Sequence, residues 1–353
     1  MRAGYPPTHN STDEPVVECR GVWKVFADHD ADAHRVVELS ISKQLALSEH
    51  NAVVAVSDAS FSVHRGEIFC IMGLSGSGKS TLVRHINRLI EPSAGKILIN
   101  GTDIGALSAP DLRALRAEKI GMVFQNMALL PHRDVRDNVA FSLELRNVPE
   151  SERREVSEQA LAKVQLEGWG DRYPAELSGG MQQRVGLARA LCADPEILLM
   201  DEPFSALDPL IRGQLQKQFL SLSSVMKKTT VFITHDLDEA IRLGDRIAIM
   251  KDGKLVQIGT PEDIVLHPID DYVADFVQGI SKIGLVTASA IMQPLETTGG
   301  HHLATRVPSH CAVSALIDVC VASDYPVTVV DADDQAVGQI DTRSLLSAIK
   351  TLG

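Results

Sequence analysis

The run Gly73-Leu74-Ser75-Gly76-Ser77-Gly78-Lys79-Ser80 puts glycines, hydroxyls and one lysine in the spacing G-x-x-x-x-G-K-S. It follows the short apolar run EIFCIMG and precedes TLVRHINRLI, an order that reads as strand, turn and helix. Glycines at such a turn let backbone N–H groups curl round a phosphate, and the N-terminus of the following helix favours negative charge. In this pattern Gly73, Ser75, Gly76, Ser77 and Gly78 line the cradle. Lys79 bridges the β- and γ-phosphates of a nucleotide, Ser80 ligates Mg²⁺ and Thr81 adds an α-phosphate contact. A glycine-rich turn that binds nothing is the bland alternative, and every fixed position of the pattern stands against it.

Two further stretches carry candidate chemistry. Ile197-Leu198-Leu199-Met200-Asp201-Glu202 is an apolar run ending in two carboxylates, so Asp201 can hold a Mg²⁺ shell and Glu202 can act as general base on an attacking water. Many buried strands end in an acidic residue, and the weight of this one comes from its place after a phosphate loop in the same chain. Leu177-Ser178-Gly179-Gly180-Met181-Gln182-Gln183 reads by itself as a helix start with Ser178 as N-cap.

With that last stretch the chain resembles the ABC-type ATPases, whose signature is an LSGGQ-like sequence. Other family elements stand in the family's order: Gln125 in MVFQN resembles the Q-loop glutamine, Ser205-Ala206-Leu207-Asp208 the D-loop, and His235 in FITHD the switch histidine. Taken singly, such a Gln or His is more often an ordinary surface or core residue. The resemblance implies a homodimer packed head to tail, with each ATP held between one subunit's phosphate loop and the other's Ser178, Gly179 and Gly180. It implies that His235 stabilises the γ-phosphate or the catalytic water, that Gln125 links Mg²⁺ to the transport partner, and that Asp208 belongs to the nucleotide site. It also implies an adenine-stacking aromatic near the first strand. Phe26 is the candidate and Trp23 its competitor, and both could equally be core.

The resemblance is strong over residues 16–280 and weak beyond. Within importers it points to the glycine betaine/proline/choline uptake ATPases, on the stretch between Phe26 and Ser57, GEIFCIMGLSGSGKSTLVRHINRLIEP, and LLMDEPFSALDPLIR with its tail. Such a resemblance implies uptake of a quaternary ammonium osmolyte through a separate integral-membrane permease, with a periplasmic or surface solute-binding protein taking part indirectly. The expected place is the cytoplasmic face of the bacterial inner membrane, as a peripheral subunit. Residues 126–141 are the candidate permease-docking region, and could equally be an ordinary surface. Relatives carry CBS modules in the tail, and here one such unit is expected, with a regulatory or dimerising role.

The elements that must position these residues read as an α/β fold: a P-loop nucleotide-binding domain with a helical subdomain, then a small CBS-like α/β domain. Residues 1–15 read as a flexible leader, 16–280 as the ATPase domain with an insertion at about 27–51 and a helical subdomain at about 126–190, and 285–353 as the tail domain. VVECRGVWKVF and VVAVSDASFSV read as strands, and EIFCIMG, EILLMD and TVFITH as buried parallel strands separated by helices. The apolar spacing of Val156, Ala160, Leu161 and Val164 marks a helix over 151–166. RIAIMKDGKLVQIG is a hairpin turning at Asp252-Gly253, and PVTVVDADDQAVGQID is a strand pair in the tail.

Composition narrows the function classes. Lys plus Arg number 34 against 46 Asp plus Glu, a formal charge of −12, which argues against nucleic-acid binding and against attachment to anionic lipid. No apolar run is long enough to span a bilayer and the polar N-terminus lacks a secretory h-region. The scattered Cys19, Cys70, Cys192, Cys311 and Cys320 form no metal or disulfide pattern. His301-His302 beside Gly299-Gly300 reads as loop before metal site. The rivals are an ABC ATPase for another small solute such as an amino acid, and a non-transport ABC ATPase. The latter usually has a coiled-coil insertion or a second ATPase unit.

Overall fold

Strand order decides where the candidate loops end up. In the computed structural model, which describes residues 14–352 apart from 126, 206, 281, 296–304 and 324, the strands in chain order are β1 (Val17–Phe26), β2 (Val53–Val63), β3 (Ile68–Met72), β4 (Ala94–Ile99), β5 (Thr102–Asp103), β6 (Ile120–Val123), β7 (Ile197–Asp201), β8 (Thr229–Thr234), β9 (Arg246–Lys251), β10 (Lys254–Gly259), β11 (Arg306–Pro308), β12 (Val327–Val330) and β13 (Ala336–Ile340). One sheet runs β2-β1-β4-β5 and is antiparallel, and a larger one runs β10-β9-β3-β8-β7-β6. In the larger sheet β9, β3, β8, β7 and β6 are all parallel. Every residue of β3, β7 and β8 is buried, as uninterrupted apolar strands covered on both faces should be. β10 closes the edge antiparallel through Asp252 and Gly253, whose φ of 48° and 85° suit a two-residue hairpin.

The helix Lys79–Ile86 is packed between the two sheets. Its Leu82, Val83 and Ile86 are fully buried in one cluster with Val17, Phe61 and Ile97 of the antiparallel sheet and Phe69, Leu199 and Val231 of the parallel one. Phe61 and Phe69 stack across this layer at 5.0 Å. Burying each of those three helix side chains contributes roughly 2 kcal/mol, so the helix cannot slide without losing its core. The helix Pro209–Met226 follows the loop after β7, and Phe219 from it packs with Phe204 and Phe232 at 6.4 and 6.2 Å.

Within 126–190 the structure places the helices Val135–Leu145, Glu150–Lys163 and Gly179–Cys192. The second is the helix expected over 151–166. Its Ala160 and Leu161 are buried, as is Val164 just past its end. Arg136 ties the arm together, donating to Glu158 at 2.7 Å and to Asp171 at 2.6 Å. The stretch 27–51 folds as two helices, Asp30–Glu38 and Lys43–His50. Their Val36 and Ala46 join a cluster with Trp23, Val25 and Val54, so the Asp- and His-rich first part is helical as well as the later part.

The chain divides into compact units at Thr260/Pro261, not near residue 280. The helices Pro261–Leu266 and Asp271–Val277 thus fall with the C-terminal unit, because Leu266 packs on the core made by Val286, Val313, Leu316, Val327, Val329 and Ile340. That unit holds β11 parallel to β12 and β12 antiparallel to β13, with the helices Val313–Val321 and Thr342–Leu352. Residues 1–13 of the expected leader, and His301-His302, lie outside the described residues. Among the described residues no helix is long and apolar enough to cross a membrane. None of the five cysteines is disulfide-bonded, and burial pushes the Cys192 thiol up to about 11.

One buried amide orders the approach to the helical arm. Asn138 is fully buried, accepts from the Leu130 N–H at 2.7 Å and donates to the carbonyls of Leu130, Arg133 and Asp134 at 3.0, 3.1 and 2.9 Å. Asn138→Ala leaves several of those buried groups unpaired and should lower the unfolding free energy by about 2 kcal/mol in urea denaturation. An unchanged midpoint would contradict this account of the loop.

Candidate active site

The C-terminal ends of β3, β6, β7 and β8 face one place, where ligands of open parallel sheets bind. The loop after β3 is shaped by glycines that nothing else can replace. A Cβ on Gly73 would sit 2.1 Å from the Met250 carbonyl oxygen, and one on Gly78, at φ 103°, 2.1 Å from that of Ala55. The next helix has Gly78 as its N-cap and no side chain bonded to its first N–H groups, which leaves them for an anion. Among the described residues Ser77 Oγ has no partner although it is buried inside the same loop, as a group waiting for a polar ligand would be. Gly76 keeps open space where its side chain would be.

Lys79 is 4% exposed. Its ammonium donates to the carbonyls of Gly73 and Leu74 at 2.8 and 3.0 Å and lies 3.9 Å from Glu202 Oε1. Burial is the largest influence on it and draws its pKa below the ordinary lysine value, with Glu202 and Asp201 pulling the other way. Ser80 Oγ donates to Asp201 Oδ1 at 2.7 Å. Asp201 ends β7 at 1% exposure, and its second oxygen meets Arg84 Nη2 at 3.2 Å.

Glu202 leaves the strand with φ 46°, a left-handed conformation that costs a non-glycine residue of order 1 kcal/mol. Its N–H donates to the Ile233 carbonyl at 3.1 Å, and Ser205 donates to the Glu202 carbonyl through its hydroxyl at 3.0 Å. The turn aims the carboxylate at three groups. Oε2 lies 3.1 Å from His235 Nδ1 and accepts from Gln125 Nε2 at 3.4 Å, while Oε1 faces Lys79. Lys79, Ser80, Gln125, Asp201, Glu202 and His235 are thus brought together from four loops. A carboxylate held this way can accept a proton from a water placed beside it.

Other expected residues stand apart. Ser178 caps the helix Gly179–Cys192, its Oγ accepting from the Met181 N–H at 3.4 Å. With Gly179 and Gly180 it makes no hydrogen bond to those six side chains among the described residues. Asp208 caps the helix Pro209–Met226 through the Leu210 N–H at 2.9 Å. Phe26, at the end of β1, is 46% exposed, whereas Trp23 is 9% exposed in the core against Val36 and Ala46. Lys24 Nζ lies 4.9 Å from the Phe26 ring centroid. Thr81 follows Ser80 on the helix.

Two arginines escaped the reading of the sequence. Arg84 stands four residues after Ser80, on the same helical face, and that spacing was its available signal. Arg189 reaches from the helix Gly179–Cys192 to the Ala128 carbonyl at 2.7 Å, holding the loop that comes after Gln125, a tertiary contact with no local sign. For Mg²⁺, Ser80 and Asp201 offer adjacent oxygens. Among the described residues no three His, Cys, Asp or Glu gather.

Residues 56–205 match the family model described as ABC transporter. The chain is 46% identical over 333 residues to the glycine betaine/proline betaine transport system ATP-binding protein ProV of Escherichia coli (strain K12), covering 94% of this chain and 82% of that one. It is 44% identical over 335 residues to the trimethylamine N-oxide transport system ATP-binding protein TmoW of Ruegeria pomeroyi, covering 95% of this chain and 97% of that one. Among solved structures, a dimeric ATP-binding cassette in a post-hydrolysis state bound to ADP and Pi aligns with TM-score 0.59 and 31% identity, over 69% of this chain and 98% of that one. A phosphate loop, a carboxylate pair at the next strand end but one and a family match through both make the conclusion plain: the chain belongs to the ATP-binding proteins of ABC transporters and is a nucleotide-binding ATPase coupled to transport.

Proposed function

We propose that this chain hydrolyses ATP as a homodimer to drive uptake of a quaternary ammonium osmolyte such as glycine betaine or choline, or of proline, through a separate integral-membrane permease. It would sit on the cytoplasmic face of the membrane, with an extracytoplasmic solute-binding protein serving the same permease. The observation that carries the ATPase reading is the convergence of Lys79, Gln125 and His235 on the Glu202 carboxylate. Likeness to ProV over 94% of this chain supports the solute class. The match to TmoW, whose length the chain covers almost entirely, favours a second reading in which the solute is trimethylamine N-oxide.

In the proposed site the backbone of Gly73, Ser75, Gly76, Ser77 and Gly78 wraps the phosphates. Lys79 exchanges its carbonyl partners for β- and γ-phosphate oxygens, and Thr81 meets the α-phosphate. Mg²⁺, held by Ser80, Gln125 and Asp201, would neutralise charge on the phosphates. Glu202 takes the proton of the attacking water. His235, whose Nδ1 lies 3.1 Å from Glu202 Oε2, would stabilise the γ-phosphate or the catalytic water. Phe26, exposed where Trp23 is buried, stacks on adenine. Ser178, Gly179 and Gly180 approach the γ-phosphate of the partner's nucleotide at the positive end of their helix, and Asp208 lies at the same junction. The C-terminal unit acts as a CBS-like regulatory or dimerising module.

Two measurements test this. Cells carrying Lys79→Ala should lose uptake of radiolabelled betaine or choline, since the phosphates lose their lysine. Unchanged uptake of betaine, choline, proline and trimethylamine N-oxide would remove the osmolyte assignment. Ser178→Arg should abolish ATP hydrolysis while the monomer still binds ATP, because the substitution blocks only the partner's nucleotide. Loss of monomer binding would contradict a site built in trans.

A further inference from the structure

We propose that Arg84 is a positioning residue for the divalent-cation site, holding Asp201 so that its free edge faces Ser80. The proposal rests on reading Ser80 and Asp201 as the protein's Mg²⁺ ligands. The two oxygens of Asp201 have separate partners: Oδ1 accepts from Ser80 Oγ at 2.7 Å, and Oδ2 lies 3.2 Å from Arg84 Nη2. Asp201 is 1% exposed, so these protein groups rather than bulk water set its orientation. Among the described residues the ion pair it makes is with Arg84.

The geometry separates two duties. Ser80 and Arg84 project from one face of one helix, and that helix is fixed by the burial of Leu82, Val83 and Ile86. A cation on the far oxygen stops the carboxylate rotating, so the near oxygen stays where a metal can use it. Arginine suits this better than lysine, because its planar fork fixes the direction of the bond. Among the described residues Arg84 Nε is buried without a partner, so the guanidinium's contact with Asp201 is made through Nη2. Partners one step removed from a metal typically change its affinity 10- to 100-fold when deleted.

The alternative is that Arg84 merely staples the helix to β7. Mant-ATP binding to the full chain would be followed by fluorescence across a MgCl2 series and in EDTA, for the wild type, Arg84→Met and Arg84→Lys, with a thermal melt of each. The Mg²⁺ concentration for half-maximal enhancement should rise about tenfold in Arg84→Met and less in Arg84→Lys, with affinity in EDTA kept. A lower melting temperature with an unmoved Mg²⁺ midpoint would overturn the proposal. Should Arg84→Met fail to fold, the same comparison is made on Arg84→Lys, where an unmoved midpoint is equally fatal. A wild type that binds mant-ATP equally in EDTA and in Mg²⁺ would remove the metal reading itself.

Discussion

The site depends on the parallel register of four neighbouring strands. Met72 lies opposite Thr234, Asp201 opposite Ile233, and Val123 opposite Met200. The phosphate loop, the carboxylate pair, His235 and Gln125 therefore leave the sheet at one level. A shift of one residue in any strand would turn its buried side chains to the opposite face. Because β3, β7 and β8 are buried throughout, a slip would also force their side chains against new neighbours in a close-packed core, and that packing holds the distances among the reactive groups.

On that frame the charges are arranged with little help from solvent. Lys79 and Asp201 are almost fully buried, and each has its partners: carbonyls and Glu202 for the lysine, Ser80 and Arg84 for the aspartate. Glu202 is the less buried carboxylate and is turned out of the strand by its left-handed backbone. Two adjacent acids thus face different partners, one tied down beside the hydroxyl of Ser80 and the other presented to Lys79, Gln125 and His235. The same division recurs in the glycines, where Gly73 and Gly78 are forced by carbonyls about two ångströms from where a Cβ would stand, while Gly76 borders open space.

Much of this was legible in the sequence because it is local. A phosphate loop is a continuous run between a strand and a helix, and apolar runs of five or six residues name the central strands. Asp252-Gly253 named its own hairpin. The features that stayed hidden depend on tertiary packing. Trp23 and Phe26 share a strand, and burial by the inserted helices separates them. The helices of residues 261–277 have nothing in their composition that assigns them, and the packing of Leu266 on the C-terminal core does. Arg84 was visible only as an i+4 neighbour of Ser80, and Arg189 not at all.

The account's central claim is that Glu202 supplies the base while nucleotide binding and pairing of two subunits rest on other residues. The direct test is the Glu202→Gln variant, monitored for ATP turnover and for mass by sedimentation with saturating ATP. The account predicts a fall in turnover of at least about a hundredfold together with a stable ATP-bound dimer. A variant that still hydrolyses ATP, or one that stays monomeric at saturating ATP, would contradict it.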